Sequence, residues 1–209
     1  LHGNGGNLAS WFVNADFYRR ANLDLVMPDY RGYGKSSGRI ESEAQLHSDV
    51  RAAWDHIAPR YAGLRRVIFG RSLGTALAAR LAAEVSPELT VLVSPYFSMQ
   101  RLAKEQFPLV PGSLLRYPLS TGADALRLQG QLLLIHGGRD ALIPPHHSED
   151  IAAAVPRATL VRLPEAGHND LQEFEAYLAA LRELGVPVRG SVWGGLVAPK
   201  GLPPEIRAQ

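Results

Sequence analysis

Cysteine is absent from all 209 residues of the chain. That excludes disulfides and a thiol nucleophile, and it leaves the redox compartment undecided. No apolar run reaches the roughly 18 residues that a membrane-spanning helix needs. Charge of one sign is not concentrated anywhere: 22 Lys and Arg stand against 20 Asp and Glu for a net charge of +2. The cations are scattered, so no nucleic-acid partner is expected. A starting Met and a signal peptide are missing too. The chain opens on Leu1-His2-Gly3-Asn4-Gly5-Gly6-Asn7, a loop of the kind that follows a strand. The expectation is a longer natural product whose first strands precede Leu1. Localisation and membrane association then stay unassigned, with a cytoplasmic location expected if that upstream part carries no signal or anchor. Length and an ordinary 46% hydrophobic fraction suit one soluble domain with a sizeable core.

What the sequence does hold is organised around Val67-Ile68-Phe69-Gly70-Arg71-Ser72-Leu73-Gly74-Thr75-Ala76. Three apolar β-formers run into Gly-x-Ser-x-Gly, and small residues continue through Ala83. The pattern predicts a buried strand, a turn too tight for side chains at Gly70 and Gly74, and a helix packed close behind. Such an elbow presents the Ser72 hydroxyl above a helix N-terminus. The bare pattern arises by chance about once in ten chains of this composition. Its weight therefore comes from the strand before it, the helix after it and the partners downstream.

Taken in order, the Gly- and Asn-rich turn at Gly3–Asn7 leads to a helix capped by Asn7 or Ser10 and running to about Arg20. Leu23–Met27 reads as a short buried strand and Asp29–Gly38 as a loop. Ser42-Glu43-Ala44-Gln45 fits a capping box, opening a helix to about Tyr61 with Leu46, Val50, Trp54 and Ile57 on one face. Strands follow at Arg66–Phe69, Leu89–Val93, Leu132–Ile135 and Thr159–Leu163, with helices between them to about Val85 and Val155. A last helix covers Leu171–Leu184. One domain, residues 1–184, is expected, with a lid at about 95–128 and a Pro- and Gly-rich, poorly ordered tail at 185–209. Strands alternating with helices of this length predict a mostly parallel, doubly wound α/β sheet with helices on both faces. In such sheets function gathers at the carboxyl ends of strands, where Asn4, Ser72, Asp140 and His168 all fall.

A serine hydroxyl is a poor nucleophile near neutral pH. It needs a base for its proton, and the base needs an orienting carboxylate. His168 is the candidate base and Asp140 the candidate orienter; the order Ser72, Asp140, His168 is one of the three known for such triads. Other carboxylates are worse placed: Asp29 is expected to tie down its own loop, Asp124 lies in an irregular stretch, and Glu165 shares a short loop with His168. The backbone N–H groups of Leu73 and Asn4 are the candidate oxyanion donors.

His-Gly-Asn-Gly-Gly-Asn, Asp-Tyr-Arg-Gly-Tyr-Gly-Lys-Ser, Gly-Arg-Ser-Leu-Gly, His-Gly-Gly-Arg-Asp…Ile-Pro and Gly-His-Asn-Asp appear in that order. Together they resemble the α/β-hydrolase superfamily, and within it the short-lid group labelled serine aminopeptidase-like or lysophospholipase-like. The resemblance implies an eight-stranded, mostly parallel sheet, a Ser72–His168–Asp140 triad and no cofactor. It also implies three strands ahead of the His-Gly turn, the third beside the elbow strand. Without that neighbour, buried N–H and C=O groups would go unpaired at about 1–3 kcal/mol each, so residues 1–209 expressed alone are expected to be unstable or inactive.

The plainer alternatives are a Gly-flanked turn at Ser72, a loop histidine at His168 and a turn-forming Asp140. His2 and His136 read as structural, and Arg71 as packing or orienting its neighbours. His146-His147 does not read as a metal site, because adjacent residues at a helix start are expected to point apart. Lid residues Tyr96, Phe97, Leu102, Phe107, Leu109, Leu114, Leu115 and Tyr117 either cap the core or line an apolar acyl pocket. The expected activity is hydrolysis of an acyl ester or thioester, with a small-molecule acyl substrate. A small-residue peptidase, a lyase on the same scaffold and a silent binding module are the alternatives. A free-amine substrate should need a carboxylate near the acyl pocket, and Glu105 is the only lid glutamate.

Overall fold

The computed structural model describes residues 1–11, 23–183 and 198–199. Most of the expected helix towards Arg20, and the tail from residue 185 apart from 198–199, lie outside the described residues; the helix's first turn is present at Leu8–Trp11. Among the described residues, four parallel strands form one sheet: β1 (Val67–Arg71), β2 (Leu89–Val93), β3 (Gln131–Gly137) and β4 (Ala158–Leu163), in that order across the sheet. Phe69, Val91, Leu133 and Thr159 share one row of the ladder. That register brings the carboxyl ends of all four strands to one rim.

The central strands are buried almost throughout, as a parallel sheet covered on both faces requires. Alternation along them shows in which core each side chain joins. Val91, Leu133 and Ile135 pack on one face with Leu163, Tyr177 and Leu178. Leu92, Leu132 and Leu134 pack on the other with Leu77, Leu81 and Ile151. The second of these faces is covered by α1 (Glu43–Ile57), α2 (Gly74–Val85) and α5 (His146–Ala154); the first by α6 (Glu175–Glu183). Between β2 and β3 run α3 (Met99–Gln106) and α4 (Thr121–Ala125), capped by Ser98 and Ser120. As expected, Ser42 caps α1, its hydroxyl accepting from the Gln45 N–H at 3.1 Å.

Helix α2 lies close to the sheet because its inner residues are small: Ala76, Ala78, Ala79 and Ala82 are fully buried. A Cβ at Gly70 would stand 2.5 Å from the Gly74 carbonyl oxygen, and one at Gly74 would stand 2.3 Å from that of Leu1. Neither position admits a side chain. Leu1 adds a single residue to the open side of β1, its nitrogen donating to Phe69 O at 2.8 Å and its carbonyl accepting from the Arg71 N–H at 3.1 Å.

Two expectations change. The Leu23–Met27 segment pairs only at Leu23–Asp24, antiparallel to Ala198–Pro199 and outside the four-stranded sheet. Leu25 and Met27 are only partly buried, packing against the core without a ladder. The lid residues do not share one fate. Tyr96 and Leu102 are buried and cap the core, whereas Phe107, Leu109 and Leu114 are 59%, 95% and 73% exposed. Those three neither cap the core nor line an enclosed pocket.

Candidate active site

Ser72 sits just past β1 with φ of +50°, in the left-handed region that a non-glycine residue enters at a cost of about 1–2 kcal/mol. Its neighbours hold it there. The Ser72 N–H donates to Val93 O at 2.9 Å, and its carbonyl accepts from the Thr75 N–H at 3.0 Å and the Thr75 hydroxyl at 2.7 Å. The His2–Asn4 turn arrives from the side: a Cβ on Gly3 would lie 3.5 Å from Ser72 Cβ. Beside it, the N–H groups of Asn4 and Leu73 donate no hydrogen bond among the described residues. The Asn4 side chain is turned away, accepting from the Tyr33 hydroxyl at 2.8 Å.

Asp140 lies in the turn after β3 and is buried. Its Oδ1 accepts from the N–H groups of Leu142 and Ile143 at 3.0 and 2.8 Å. Its Oδ2 meets His168 Nδ1 at 2.7 Å. A carboxylate only accepts, so His168 carries its hydrogen on Nδ1 and leaves Nε2 free to take a proton. Burial alone would raise the Asp140 carboxyl. Hydrogen bonds from His136, His168 and the Ile143 N–H outweigh it and hold the group well below the ordinary carboxylate range.

The two loops that carry Asp140 and His168 are joined by backbone. Gly138 N–H donates to Leu163 O at 2.8 Å and Arg139 N–H to Ala166 O at 2.9 Å. A Cβ at Gly137 would come within 2.4 Å of the Ala166 and Gly167 carbonyl oxygens, which explains the paired glycines before Asp140. Asp170 ties the second loop to itself, its Oδ1 accepting from the Gly167 N–H at 2.7 Å. Arg71 spans from the elbow to this loop: Nη2 donates to the His168 carbonyl at 2.9 Å, and the guanidinium lies 5.3 Å from the Trp11 ring centroid. The structure thus joins Asp140 to His168 directly and ties the backbone of His168 to the residue preceding Ser72. Among the described residues no hydrogen bond joins the Ser72 hydroxyl to His168. Nucleophile–base contacts commonly tighten only when substrate is bound.

His136 has a role that its motif did not disclose. It is fully buried, with Nε2 donating to Ile143 O at 2.8 Å and lying 3.3 Å from Asp140 Oδ2, while Nδ1 meets the Ser148 hydroxyl. It pegs the turn that presents Asp140. Its place four residues ahead of Asp140 in His-Gly-Gly-Arg-Asp was the available signal. Asp29 ties its own loop through its backbone carbonyl, which accepts from the Ser36 hydroxyl at 2.9 Å, while its carboxylate reaches outside the loop to accept from the Leu8 N–H at 2.9 Å. His2 packs its ring 4.1 Å from that of Tyr30.

The expectation that His146 and His147 point apart is overturned. Their rings stack at 4.6 Å, and each Nε2 lies 3.1 Å from Glu105 Oε2. Glu105 reaches over from α3, and its Oε2 lies near the Nε2 atoms of both stacked rings. His147 Nδ1 accepts from the Phe97 N–H at 3.2 Å, which places the ring hydrogen on Nε2 and competes with cation binding there.

Residues 1–117 match the family model described as "Serine aminopeptidase, S33". The chain is 30% identical over 188 residues to alpha/beta hydrolase domain-containing protein 17C of Xenopus tropicalis, covering 87% of this chain and 59% of that protein. It is 31% identical over 189 residues to protein 17B of Xenopus laevis, covering 87% and 63%. The chain therefore spans about three fifths of the length of these curated relatives. An esterase of Pyrococcus furiosus superposes with a TM-score of 0.71 at 20% identity, over 88% of this chain and 78% of the other. A monoacylglycerol lipase of Paleococcus ferrophilus does so at 0.65 and 19% identity, over 88% and 91%. With its parallel sheet, its strand–elbow–helix and a family model matching more than half its length, the chain belongs to the serine aminopeptidase family of the α/β-hydrolase superfamily.

Proposed function

We propose that the chain is a serine hydrolase that cleaves an acyl ester or thioester through an acyl-enzyme. The observation that carries this reading is the 2.7 Å contact of Asp140 with His168 Nδ1, on a loop whose backbone is bound by the residue before Ser72. Ser72 Oγ attacks the carbonyl carbon while its proton passes to His168 Nε2. Asp140 holds the ring and stabilises the imidazolium. The N–H groups of Asn4 and Leu73 receive the oxyanion. When the tetrahedral intermediate collapses, the leaving group takes the proton from His168 and departs. Water, deprotonated by the same imidazole, then releases the acid and restores Ser72.

Of the alternatives, a peptidase acting on free N-termini would need a carboxylate available to the substrate ammonium. Glu105 is engaged by Arg101 at 2.9 Å and lies 3.1 Å from each of His146 and His147. That favours an uncharged acyl group over an aminoacyl one. The test is a fluorophosphonate probe with a p-nitrophenyl ester panel on the full chain. Labelling at Ser72 and turnover, both abolished by Ser72→Ala, are expected. A probe adduct on another residue, or ester turnover surviving Ser72→Ala, would sink the proposal.

A further inference from the structure

Ten consecutive residues, Gln106 to Leu115, carry no charge, and they include four large apolar side chains that the fold leaves uncovered. Phe107, Leu109, Val110 and Leu114 are 59%, 95%, 53% and 73% exposed. The exposure is built in. Ser98 caps α3, the helix ends at Gln106 with Phe107 as its C-cap, and a single turn follows at Gly112–Leu114, so the apolar residues lie together on an exposed tip of the chain's excursion between β2 and β3. A tip of four side chains is too small for a stable protein interface, which takes about 800 Å² from each partner. It suits insertion into a boundary that closes around it, as lipid does.

The flanks agree. Lys104 on one side and Arg116 on the other form no ion pair with a carboxylate among the described residues; Arg116 donates instead to the Glu41 carbonyl at 2.9 Å and lies over the Tyr117 ring. Cations at the base of an uncharged tip stand at headgroup level when the tip is buried. The tip also adjoins the Asp140 turn: Gln106 Nε2 donates to the Leu142 carbonyl at 2.7 Å, and the Leu142 side chain is itself 52% exposed. No helix among the described residues is long and apolar enough to cross a membrane.

We propose that the Phe107–Leu114 tip docks the protein on anionic lipid bilayers, with Lys104 and Arg116 against the headgroups. The surface lies next to the Asp140 turn, where it would present lipid-borne material to the site. The docking itself is read without turnover, so it stands or falls separately from the hydrolase assignment. The experiment is co-sedimentation of the full chain with phosphatidylcholine vesicles, with and without phosphatidylserine. The parent should bind the anionic vesicles preferentially. The double variant L109E/V110E should lower the bound fraction at least about tenfold, and K104E/R116E should remove the preference for phosphatidylserine. Leu64 is 44% exposed at the opposite end of β1, and Leu64→Glu should leave binding unchanged. A cooperative melt matching the parent's shows that each variant is folded. Absence of parent binding, binding indifferent to phosphatidylserine, or binding unaffected by L109E/V110E overturns the proposal. So does concentration-dependent self-association that L109E/V110E abolishes while vesicle binding persists.

Discussion

Backbone holds the rim of the sheet, and side chains hold the segment above it. The Asp140 turn is joined to the His168 loop by main-chain hydrogen bonds, at glycines where a Cβ would collide with carbonyl oxygens. The Asp140 carboxylate is itself fixed by two N–H groups. By contrast, α3 is clasped to α5 largely through side chains: partly exposed Arg101 meets Asp150 at 2.6 Å, and partly exposed Glu105 lies 3.1 Å from His146 and from buried His147. Main-chain ladders and tight turns leave little freedom. Partly exposed ion pairs are worth only about 0–1 kcal/mol each and let go readily. The difference suits a proposed triad whose geometry must persist, next to a cover that can yield.

The largest test of that contrast is Asp140→Asn. If the rim is rigid because the carboxylate sets the His168 tautomer, kcat on a soluble ester should fall by about four orders of magnitude with little change in KM. Stability gives a second reading. The folded carboxyl is depressed below its unfolded value of about 3.9. A group depressed in this way contributes stability that is present above the unfolded pKa and lost as pH falls through the folded one. The stability gap between parent and Asp140→Asn, measured by denaturant unfolding, should therefore be widest near neutrality and shrink below about pH 4. A gap of constant size would show that the turn does not depend on the ionised carboxylate.

Next in size is Arg71→Leu. The guanidinium ties the His168 carbonyl to the elbow. Losing that tie should displace the imidazole without unfolding the sheet, for a fall in kcat of about 10- to 100-fold. Arg71→Lys should recover part of it. An equal fall in melting temperature and in kcat across both variants would make Arg71 a packing residue only.

Much of this rim was legible beforehand, for a physical reason. Strands β1 to β3 are built on short apolar runs and β4 on a run broken by Thr159 and Arg162, and the sequence reading of each lies within two residues of its observed ends. Ser72, Asp140 and His168 stand out because each follows a strand-forming run, and a parallel sheet gathers those ends. What could not be read is what depends on distant pairing. Leu23–Met27 has strand composition, but a strand exists only beside another, and the described residues pair it only at Leu23–Asp24. His146 and His147 both approach Glu105, which lies some 40 positions earlier. The apolar lid residues divide into buried Leu102 and exposed Leu109, and hydrophobicity alone carries no information on which will find cover.

The smallest expected effect sharpens the comparison most, because it should touch one region and spare the other. Glu105→Gln removes the charge that Arg101, His146 and His147 share. Burial raises the Glu105 carboxyl, but hydrogen bonds from Arg101 and His146 outweigh it and leave the group depressed overall. It is thus ionised near neutral pH. Neutralising it should cost about 1 kcal/mol or less, which corresponds to roughly fivefold faster amide exchange when opening is local. That acceleration should be confined to Met99–Gln106 and the start of α5. Amides of β2 and β3, whose exchange needs the sheet to open, should keep their parent rates. Faster exchange in the strands as well would mean that lid and sheet open as one unit, and the division between a fixed rim and a yielding cover would fail.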